Sequence, residues 1–345
     1  MRAVYFENHG GPEVLRFGER PDPEPGSGEV RIRIRAAALN HLDLFVRNGL
    51  ENVRVPLPQI PGADGAGVVD RVGDGVEELS PGERVLIQPG LYCGKCEYCR
   101  SGEQSLCVKF RILGEHSPGT FAEFAVVPAR NVFPFPETLS FEEAAAFPLV
   151  YQTAWRMVVG RAAVRPGETV LIHGIGGAVA WAALAIARMC GAEVFGTSSD
   201  EAKLAAARDA GASHGWSSKD DVARRVSEAT GRRGCDVVID CVGDATWMIS
   251  LRSAAKGGRI VTCGATSGPN PREELRLIFW KQLSILGSTM ANDREFRAAA
   301  AAVFSGRLKP RIDSVHRFDE AAAAYERMES GRQFGKIILV PEGTA

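Results

Sequence analysis

Four cysteines carry the clearest chemical signal in this chain. Cys93, Cys96, Cys99 and Cys107 form the pattern C-x2-C-x2-C-x7-C. Four thiolates fill the tetrahedral coordination of one zinc ion and leave no open position for a substrate. The spacing therefore predicts one structural zinc, which folds a lobe at residues 91–109 and takes no part in catalysis.

Three other interpretations of this cluster are two disulfides, an iron–sulfur cluster and unligated buried cysteines. The chain begins MRAVYFENHG, without the basic and then apolar segments of an export signal, so we expect a cytoplasmic, reducing location. An iron–sulfur cluster also takes four cysteines, but the close spacing favours zinc. The remaining cysteines stand singly in apolar stretches and are interpreted as small core residues: Cys190, Cys235, Cys241 and Cys263.

Length and charge limit the possible classes of protein. The chain has 345 residues, which exceeds one typical core and suits two domains. Its 41 basic and 42 acidic residues give a net charge of −1 without a dense basic run, which disfavours binding to nucleic acid or an anionic membrane. No apolar run approaches the roughly twenty residues that span a bilayer. We expect a soluble protein with a small-molecule partner.

The pattern of apolar residues changes along the chain. Residues 1–130 show short alternating runs broken by Gly and Pro, typical of an irregular barrel of strands that requires no helix. From about 165, units of strand, turn and helix repeat, and their continuous apolar strands indicate a buried parallel sheet. We expect an α/β protein with one domain at 1–130 and 304–345 and a second domain at 131–303.

A glycine-rich turn after the first parallel strand predicts a dinucleotide site. Gly174, Gly177 and Ala180 place small residues three apart between an apolar strand and an Ala-rich helix, so a pyrophosphate can approach the helix N-terminus. The usual G-x-G-x-x-G pattern fails at Val179. The alternative is a turn that only joins a strand to a helix.

The end of the next strand bears on which dinucleotide binds. An NAD site usually has an acid there for the ribose 2′-hydroxyl, whereas this strand ends in Ser198 and Ser199. These hydroxyls, with Lys203 one helical turn further on, suit a 2′-phosphate, so NADPH is favoured over NADH. Two alternatives remain: Asp200 could still reach a ribose, and the serines could cap the helix that begins near Asp200.

Over nearly its whole length the chain resembles the medium-chain dehydrogenase/reductase superfamily, in its zinc-containing alcohol dehydrogenase-like and quinone oxidoreductase-like branches. The matching segments include GGPEVL, ALNHLDLFVRNG, PGADGAGVVDRVGDGV, GTFAEFAVVP and FGKIILV. The resemblance implies a GroES-like irregular β-barrel domain, a Rossmann doubly wound parallel sheet domain, and catalysis between them. It also implies a homodimer or a dimer of dimers, formed through the last cofactor-domain strand, SILGSTM.

The same resemblance shows which catalytic ligands are missing. Zinc alcohol dehydrogenases hold a catalytic zinc with a Cys in C-H-x-D, a His in G-H-E and a further Cys. This chain has Asn40, Ala63 and Leu149 at those positions. His41 and Asp64 could bind metal by type, but two ligands do not make a catalytic zinc site. We therefore predict no catalytic zinc.

Without a Lewis acid, an activated acceptor such as an enone, an enoyl thioester or a quinone becomes the expected substrate. Asn40 and Asp43 match the N-x-x-D segment of quinone oxidoreductase-like relatives, and with His41 they form the predicted catalytic set. Asn40 would donate to the substrate carbonyl or to the nicotinamide. His41 is preferred as proton donor over Tyr151 and His116.

The resemblance also implies further cofactor contacts. Thr153 would lie near the nicotinamide and Lys336 would reach a phosphate. The remaining predicted contacts follow successive strands at the carboxyl edge of the sheet, where dinucleotides bind: Cys241, Gly264, Gly287 and Ser288.

Three functions remain open from the sequence. The first is an NADPH-dependent reductase of conjugated acceptors, and aromatic or apolar pocket candidates indicate a hydrophobic substrate: Phe45, Leu91, Tyr92, Tyr151 and Met290. The second is a zinc-type alcohol dehydrogenase or aldehyde reductase that uses unusual ligands. The third is a nucleotide-binding protein without catalytic activity, because a fold alone does not fix a function.

Overall fold

The computed structural model describes residues 1–49 and 53–343. The chain divides into two compact units, of which unit 1 contains Met1–Leu149 and Phe296–Ala345 and unit 2 contains Val150–Glu295. These bounds differ from the predicted domain boundaries at 130/131 and 303/304. Residues just beyond 130 add a strand to the sheet of unit 1, and Phe147 and Phe296 stack with ring centroids 5.9 Å apart, so both segments pack into unit 1.

The strands of the described residues follow each other along the chain in this order: β1 (Arg2–Tyr5), β2 (Arg16–Glu19), β3 (Glu29–Ala38), β4 (Asp64–Val72), β5 (Arg84–Ile87), β6 (Gly90–Leu91), β7 (Arg111–Ile112), β8 (Phe124–Pro128), β9 (Val132–Pro134), β10 (Thr169–Ile172), β11 (Glu193–Ser198), β12 (His214–Ser217), β13 (Cys235–Asp240), β14 (Ala254–Thr262), β15 (Ser284–Gly287), β16 (Ile312–Arg317) and β17 (Lys336–Val340).

The helices of the same residues are α1 (His41–Asn48), α2 (Glu97–Arg100), α3 (Phe141–Ala146), α4 (Pro148–Trp155), α5 (Ala178–Met189), α6 (Glu201–Asp209), α7 (Val222–Ala229), α8 (Asp244–Ser253), α9 (Leu275–Lys281), α10 (Asp293–Phe304) and α11 (Ala321–Glu329). A π-helical segment follows α4 at Arg156–Arg161. No helix in the described ranges combines the length and the apolar character needed to cross a bilayer.

Among the described residues of unit 1, a seven-stranded sheet has the order β16-β17-β3-β4-β5-β9, and β8 also pairs with β3. The strand β3 alternates side chains across the sheet and buries Val30, Ile32 and Ile34 in the core. This arrangement matches the irregular strand-rich domain predicted from the sequence.

One sequence expectation for this region was wrong. Residues 1–130 were expected to need no helix, yet α1 forms directly after β3. The Asp43 carboxylate accepts a hydrogen bond from the Asn40 backbone N–H, which makes the capping box that starts this helix. The N-x-x-D spacing is therefore a helix-start signal as well as a family motif.

In unit 2 the described strands form a parallel sheet in the order β12-β11-β10-β13-β14-β15. The strand order reverses between β10 and β13, which is the position where doubly wound sheets open a crevice for ligands. Both strands are fully buried apolar runs at Val170–Ile172 and Val237–Ile239. The predicted doubly wound parallel sheet is confirmed.

Candidate functional site

A buried polar cluster lies in unit 1, where α1, β4 and β17 begin. Pairing of β3 with both β4 and β17 brings Asn40, Asp64 and Lys336 to one edge of the sheet. The Lys336 ammonium donates to Asn40 Oδ1 at 2.6 Å and to Asp64 Oδ2 at 2.9 Å. All three side chains are buried, so an ion pair sits in a region of low dielectric constant.

The remaining polar atoms of this cluster are also satisfied. Asn40 Nδ2 donates to Asp64 Oδ2 at 3.0 Å and to the Ala38 carbonyl at 3.3 Å. The second Asp64 oxygen accepts from the Leu149 backbone N–H at 2.8 Å. Because its oxygen and both amide hydrogens are engaged, Asn40 does not fit the predicted role of hydrogen-bond donor to a substrate or nicotinamide.

Lys336 also differs from its prediction. It was expected to reach a cofactor phosphate, whereas its side chain is 3% exposed and paired with Asp64. A buried ammonium needs a carboxylate partner, and the one at the start of β4 lies within hydrogen-bond reach. Lys336 therefore belongs to the interior of unit 1.

These residues do not offer the donor set of a catalytic zinc. The three family ligand positions hold an amide at Asn40, a methyl group at Ala63 and an aliphatic chain at Leu149. Of the two carboxylates nearby, Asp43 accepts hydrogen bonds from the backbone N–H groups of Asn40 and Gly62, and Asp64 is already neutralised by Lys336 at 2.9 Å. A divalent cation on that carboxylate would lie against the ammonium, and like charges repel strongly in a buried place.

Asp43 and His41, the other two predicted catalytic residues, lie in different surroundings. The Asp43 side chain is buried and accepts backbone hydrogen bonds from Asn40 at 2.8 Å and Gly62 at 2.9 Å. Burial raises the pKa of Asp43 to about 7. Asp43 therefore positions the start of α1, whereas the exposed His41 is accessible to a substrate.

The chemical state of His41 follows from its surroundings. Desolvation by nearby protein lowers the pKa of His41 below its usual value, and the positive charge of Lys336 lowers it further. At neutral pH the imidazole is therefore uncharged, with one ring N–H to donate and one ring nitrogen to accept.

The four cysteines of the zinc lobe converge in space as their spacing predicts. Their sulfur atoms all lie within 4.8 Å of one another. A tetrahedral zinc with Zn–S bonds of about 2.3 Å has S···S edges of about 3.8 Å, and the Cys93–Cys99 distance is 3.9 Å. The sulfur of Cys107 also accepts from the backbone N–H groups of Cys93 and Lys109, each at 3.3 Å. This donor set fits a structural zinc.

The charges of these thiols favour a cation at their centre. Backbone N–H groups of Lys95 and Cys96 lower the pKa of Cys93 to about 6, so this sulfur is readily a thiolate. Burial raises the pKa of Cys99 to about 12. Four sulfurs this close become thiolates together only when a positive ion offsets their charge, which zinc provides.

In unit 2 the glycine turn has the conformation that its sequence requires. Gly174 adopts a φ of +63°, which favours glycine, and Gly177 is the N-cap of α5. A Cβ atom on Gly176 would lie 2.3 Å from the Cδ atom of Lys203, so the Lys203 stem lies against the turn. Ala180 is buried in the first turn of α5. Cofactor contact by these residues stays a prediction.

The segment after β11 distinguishes between the alternatives left open by the sequence. The Asp200 carboxylate caps α6, because it accepts from the backbone N–H groups of Ala202 at 2.8 Å and Lys203 at 3.4 Å. Ser198 Oγ accepts from the Asp200 N–H at 3.1 Å, while Ser199 is exposed. The helix cap is thus Asp200, and Ser199 remains accessible to a ligand.

The predicted residues at the carboxyl edge of this sheet do follow strand ends. Cys241 follows β13, Gly264 lies just beyond β14, and β15 ends at Gly287 with Ser288 next. Ser288 Oγ is buried and has no hydrogen-bond partner among the described residues, so a bound ligand could satisfy it. Thr153 is also buried in unit 2, with its hydroxyl 4.0 Å from the sulfur of Met290, two residues after Ser288.

Asp240 organises the loop after β13, a role that the sequence reasoning did not assign when it placed this residue at a strand end. Its carboxylate accepts from the backbone N–H groups of Val242 at 2.9 Å and Gly243 at 3.1 Å. It also accepts from the hydroxyls of Thr246 at 2.8 Å and Ser250 at 2.7 Å. An acid at the end of an apolar strand, followed by a glycine and by hydroxyl residues at helical spacing, was the available signal.

Comparison with known proteins agrees with this geometry. Residues 26–137 match the alcohol dehydrogenase GroES-like domain and residues 178–305 match the zinc-binding dehydrogenase domain. The chain is 33% identical over 341 residues to acryloyl-coenzyme A reductase of Metallosphaera sedula, covering 98% of this chain and 99% of that protein. It is 31% identical over 351 residues to quinone oxidoreductase of Rattus norvegicus, with 99% and 98% covered.

The chain belongs to the medium-chain dehydrogenase/reductase superfamily. A crystal structure of an NAD-dependent alcohol dehydrogenase superposes with a TM-score of 0.95 and 46% identity, and covers 99% of each chain. Membership of this superfamily makes the protein an oxidoreductase of the dehydrogenase/reductase type.

Replacing Lys336 tests the buried ion pair. We expect Lys336→Met to lower the free energy of unfolding by about 3–5 kcal/mol, because Asp64 stays buried without its cation. The double variant Lys336→Met with Asp64→Asn should recover at least half of that loss. Urea unfolding of all variants measures the values. Lys256→Met, at an exposed lysine, is the control and should change stability by less than about 0.5 kcal/mol. Equal losses in the single and double variants would contradict the pairing.

Removal of one lobe cysteine tests the structural zinc. Elemental analysis should find one zinc per chain in the native protein and close to none in Cys107→Ser, because a buried ligand is lost. Limited proteolysis should then cut within residues 91–109. Cys190→Ser, outside the cluster, should keep the full zinc content. A native protein without zinc, or a zinc-free variant with an unchanged cleavage pattern, would refute this role.

Proposed function

We propose that the protein is an NADPH-dependent reductase that transfers hydride to an acceptor conjugated with a carbonyl group, without a catalytic zinc. The observation that carries this proposal is the Lys336–Asp64–Asn40 cluster, in which a lysine neutralises the carboxylate that a second metal would need. The acceptor class includes enones, enoyl thioesters and quinones.

The chemistry of such acceptors suits this site. When bound, NADPH would supply a hydride for the β-carbon of such an acceptor, and the conjugated carbonyl oxygen would take up the resulting negative charge. A Lewis acid is less important here than for a simple ketone because conjugation already stabilises that charge. His41, exposed and uncharged at neutral pH, donates its ring N–H toward the oxygen and passes a proton from solvent to the product.

Relatives with this activity support the acceptor class. Acryloyl-coenzyme A reductase and quinone oxidoreductase are both named for conjugated acceptors, and each aligns over almost the whole chain. The similarity to an NAD-dependent alcohol dehydrogenase supports a second candidate, oxidation of a simple alcohol. That reaction would call for a metal beside Asp64, where Lys336 already lies.

The preference for NADPH is argued from the end of β11. Asp200, the nearest acid, is engaged as the cap of α6. Ser199 is exposed there, and the Lys203 stem lies on the glycine turn. Hydroxyl and ammonium donors at this place suit a 2′-phosphate, because both donate hydrogen bonds to phosphate oxygens.

A substrate panel tests the proposal directly. With NADPH, we expect kcat/KM for acryloyl-coenzyme A, an enone or a quinone to exceed that for simple aldehydes by at least tenfold, because only conjugated acceptors spread the developing charge. We expect NADPH to be preferred over NADH, and Ser199→Asp to reduce or reverse that preference by repelling the 2′-phosphate.

Several results would contradict the proposal. Faster turnover of simple alcohols or aldehydes, together with two zinc ions per chain, would establish the alcohol dehydrogenase. Dinucleotide binding without turnover of any panel member would point to a nucleotide-binding protein. Ser80→Asp, at an exposed serine of unit 1, is the matched control for the added charge and should leave cofactor preference unchanged.

We also propose a homodimer formed through β15. This strand is the last of the unit 2 sheet, so one edge is available for pairing within the described residues. Apolar side chains are exposed around it: Leu275, Phe279, Trp280 and Ile285. Pairing of β15 with its copy would extend the sheet and cover these side chains.

Light scattering on a sizing column tests the dimer. The native protein should elute at twice the chain mass, and Ile285→Lys should shift it toward the chain mass of 37.1 kDa, because a charge would be buried at the interface. Val315→Lys is the matched control, since Val315 is also exposed on an edge strand, β16. A monomeric native protein, or an unchanged mass for Ile285→Lys, would refute this interface.

A further inference from the structure

Two cysteines outside the zinc lobe meet at the carboxyl edge of the unit 2 sheet. Cys241 follows β13 and Cys263 follows β14, and their sulfur atoms lie 3.4 Å apart. Both were interpreted from the sequence as single core cysteines, and Cys241 also as a cofactor contact. The structure corrects this, because the parallel register that pairs Asp240 with Thr262 makes the two cysteines the next pair along the strands.

We propose that Cys241 and Cys263 form a reversible disulfide under peroxide, and that this bond weakens dinucleotide binding at the sheet edge. The proposal rests on the proposed function only in taking NADPH as the ligand of that edge.

The backbone geometry is suited to this bond. Neighbouring strands of a sheet lie about 4.8 Å apart, within the Cα–Cα range of about 4.4–6.8 Å that disulfides require. The two loops are also tied together. Ser267 donates to the Val242 carbonyl through its backbone N–H at 2.8 Å and through its hydroxyl at 2.7 Å. The cysteines are therefore fixed side by side, so little rearrangement separates them from a disulfide.

The chemistry of the two thiols assigns their roles. A hydrogen bond to Cys263, together with burial, raises the pKa of Cys241 well above its usual value, so Cys241 stays a thiol. Both side chains are half-buried, so a small oxidant can reach them. Cys263 reacts first: its sulfur displaces water from hydrogen peroxide and becomes a sulfenic acid.

The second step closes the bond. The Cys241 sulfur attacks the Cys263 sulfur while the Cys241 thiol proton passes to the departing hydroxide, which leaves as a second water. Two thiols thus lose two protons and two electrons while one peroxide is reduced to two waters. A dithiol reverses the reaction by exchange.

The position of the two cysteines indicates how the disulfide would affect cofactor binding. The disulfide would shorten the S···S distance from 3.4 Å to about 2.05 Å and draw the loop after β13 toward the loop after β14. These loops begin at Cys241 and lead to Gly264, both at the edge where doubly wound sheets bind dinucleotides. We therefore expect the oxidised form to bind NADPH more weakly.

The test uses the full-length, zinc-loaded protein. After treatment with hydrogen peroxide, non-reducing peptide mapping by mass spectrometry should find a Cys241–Cys263 link. The Kd for NADPH, measured by nicotinamide fluorescence, should rise at least fivefold and return after dithiothreitol. Cys263→Ser, compared with itself before and after peroxide, should show neither the link nor the change in Kd. Cys190→Ser, at a half-buried cysteine outside the pair, should respond like the native protein.

The other possible outcomes would each overturn a part of the proposal. Oxidation that releases zinc from the lobe without the Cys241–Cys263 link would overturn the proposal, as would a link that leaves the Kd unchanged. A reduced protein that binds no dinucleotide would instead refute the proposed function and the effect on the cofactor, while the peptide map would still decide whether the disulfide forms.

Discussion

The Lys336–Asp64 ion pair is the interaction on which the arrangement of unit 1 depends. It lies out of contact with water, so each charge would be costly alone, and hydrogen bonds from Asn40 and the Leu149 backbone complete its coordination. Through these contacts it fixes the first residues of β4 and β17 beside the N-cap of α1.

Both units use an acid at a strand end to organise a loop. Asp64 begins β4, and its carboxylate accepts hydrogen bonds from an ammonium, an amide and a backbone N–H. Asp240 ends β13, and its carboxylate accepts hydrogen bonds from two backbone N–H groups and two hydroxyls. Both carboxylates are therefore occupied by contacts within the protein. The groups beside them that can still react with a ligand or an oxidant are His41 in unit 1 and the cysteine pair in unit 2.

Features encoded over short stretches could be predicted from the sequence, and features made by distant pairing could not. The zinc lobe and the glycine turn follow from local spacing, and the parallel sheet from continuous apolar runs. The partner of Asn40 is 296 positions away at Lys336, and no local pattern indicates that contact. The Cys241–Cys263 pair depended on the register of β13 and β14, which apolar runs alone do not fix.

The discontinuity of unit 1 has a consequence for how the protein is made. Its seven-stranded sheet contains β16 and β17, which follow the whole of unit 2 in the chain. During synthesis the edge of β3 that pairs with β17 therefore stays uncovered, and Asp64 stays without Lys336, until β17 has left the ribosome. Unit 2, whose strands are contiguous, can complete its sheet first. The nascent chain is thus most vulnerable to mispairing just before its last strand is added.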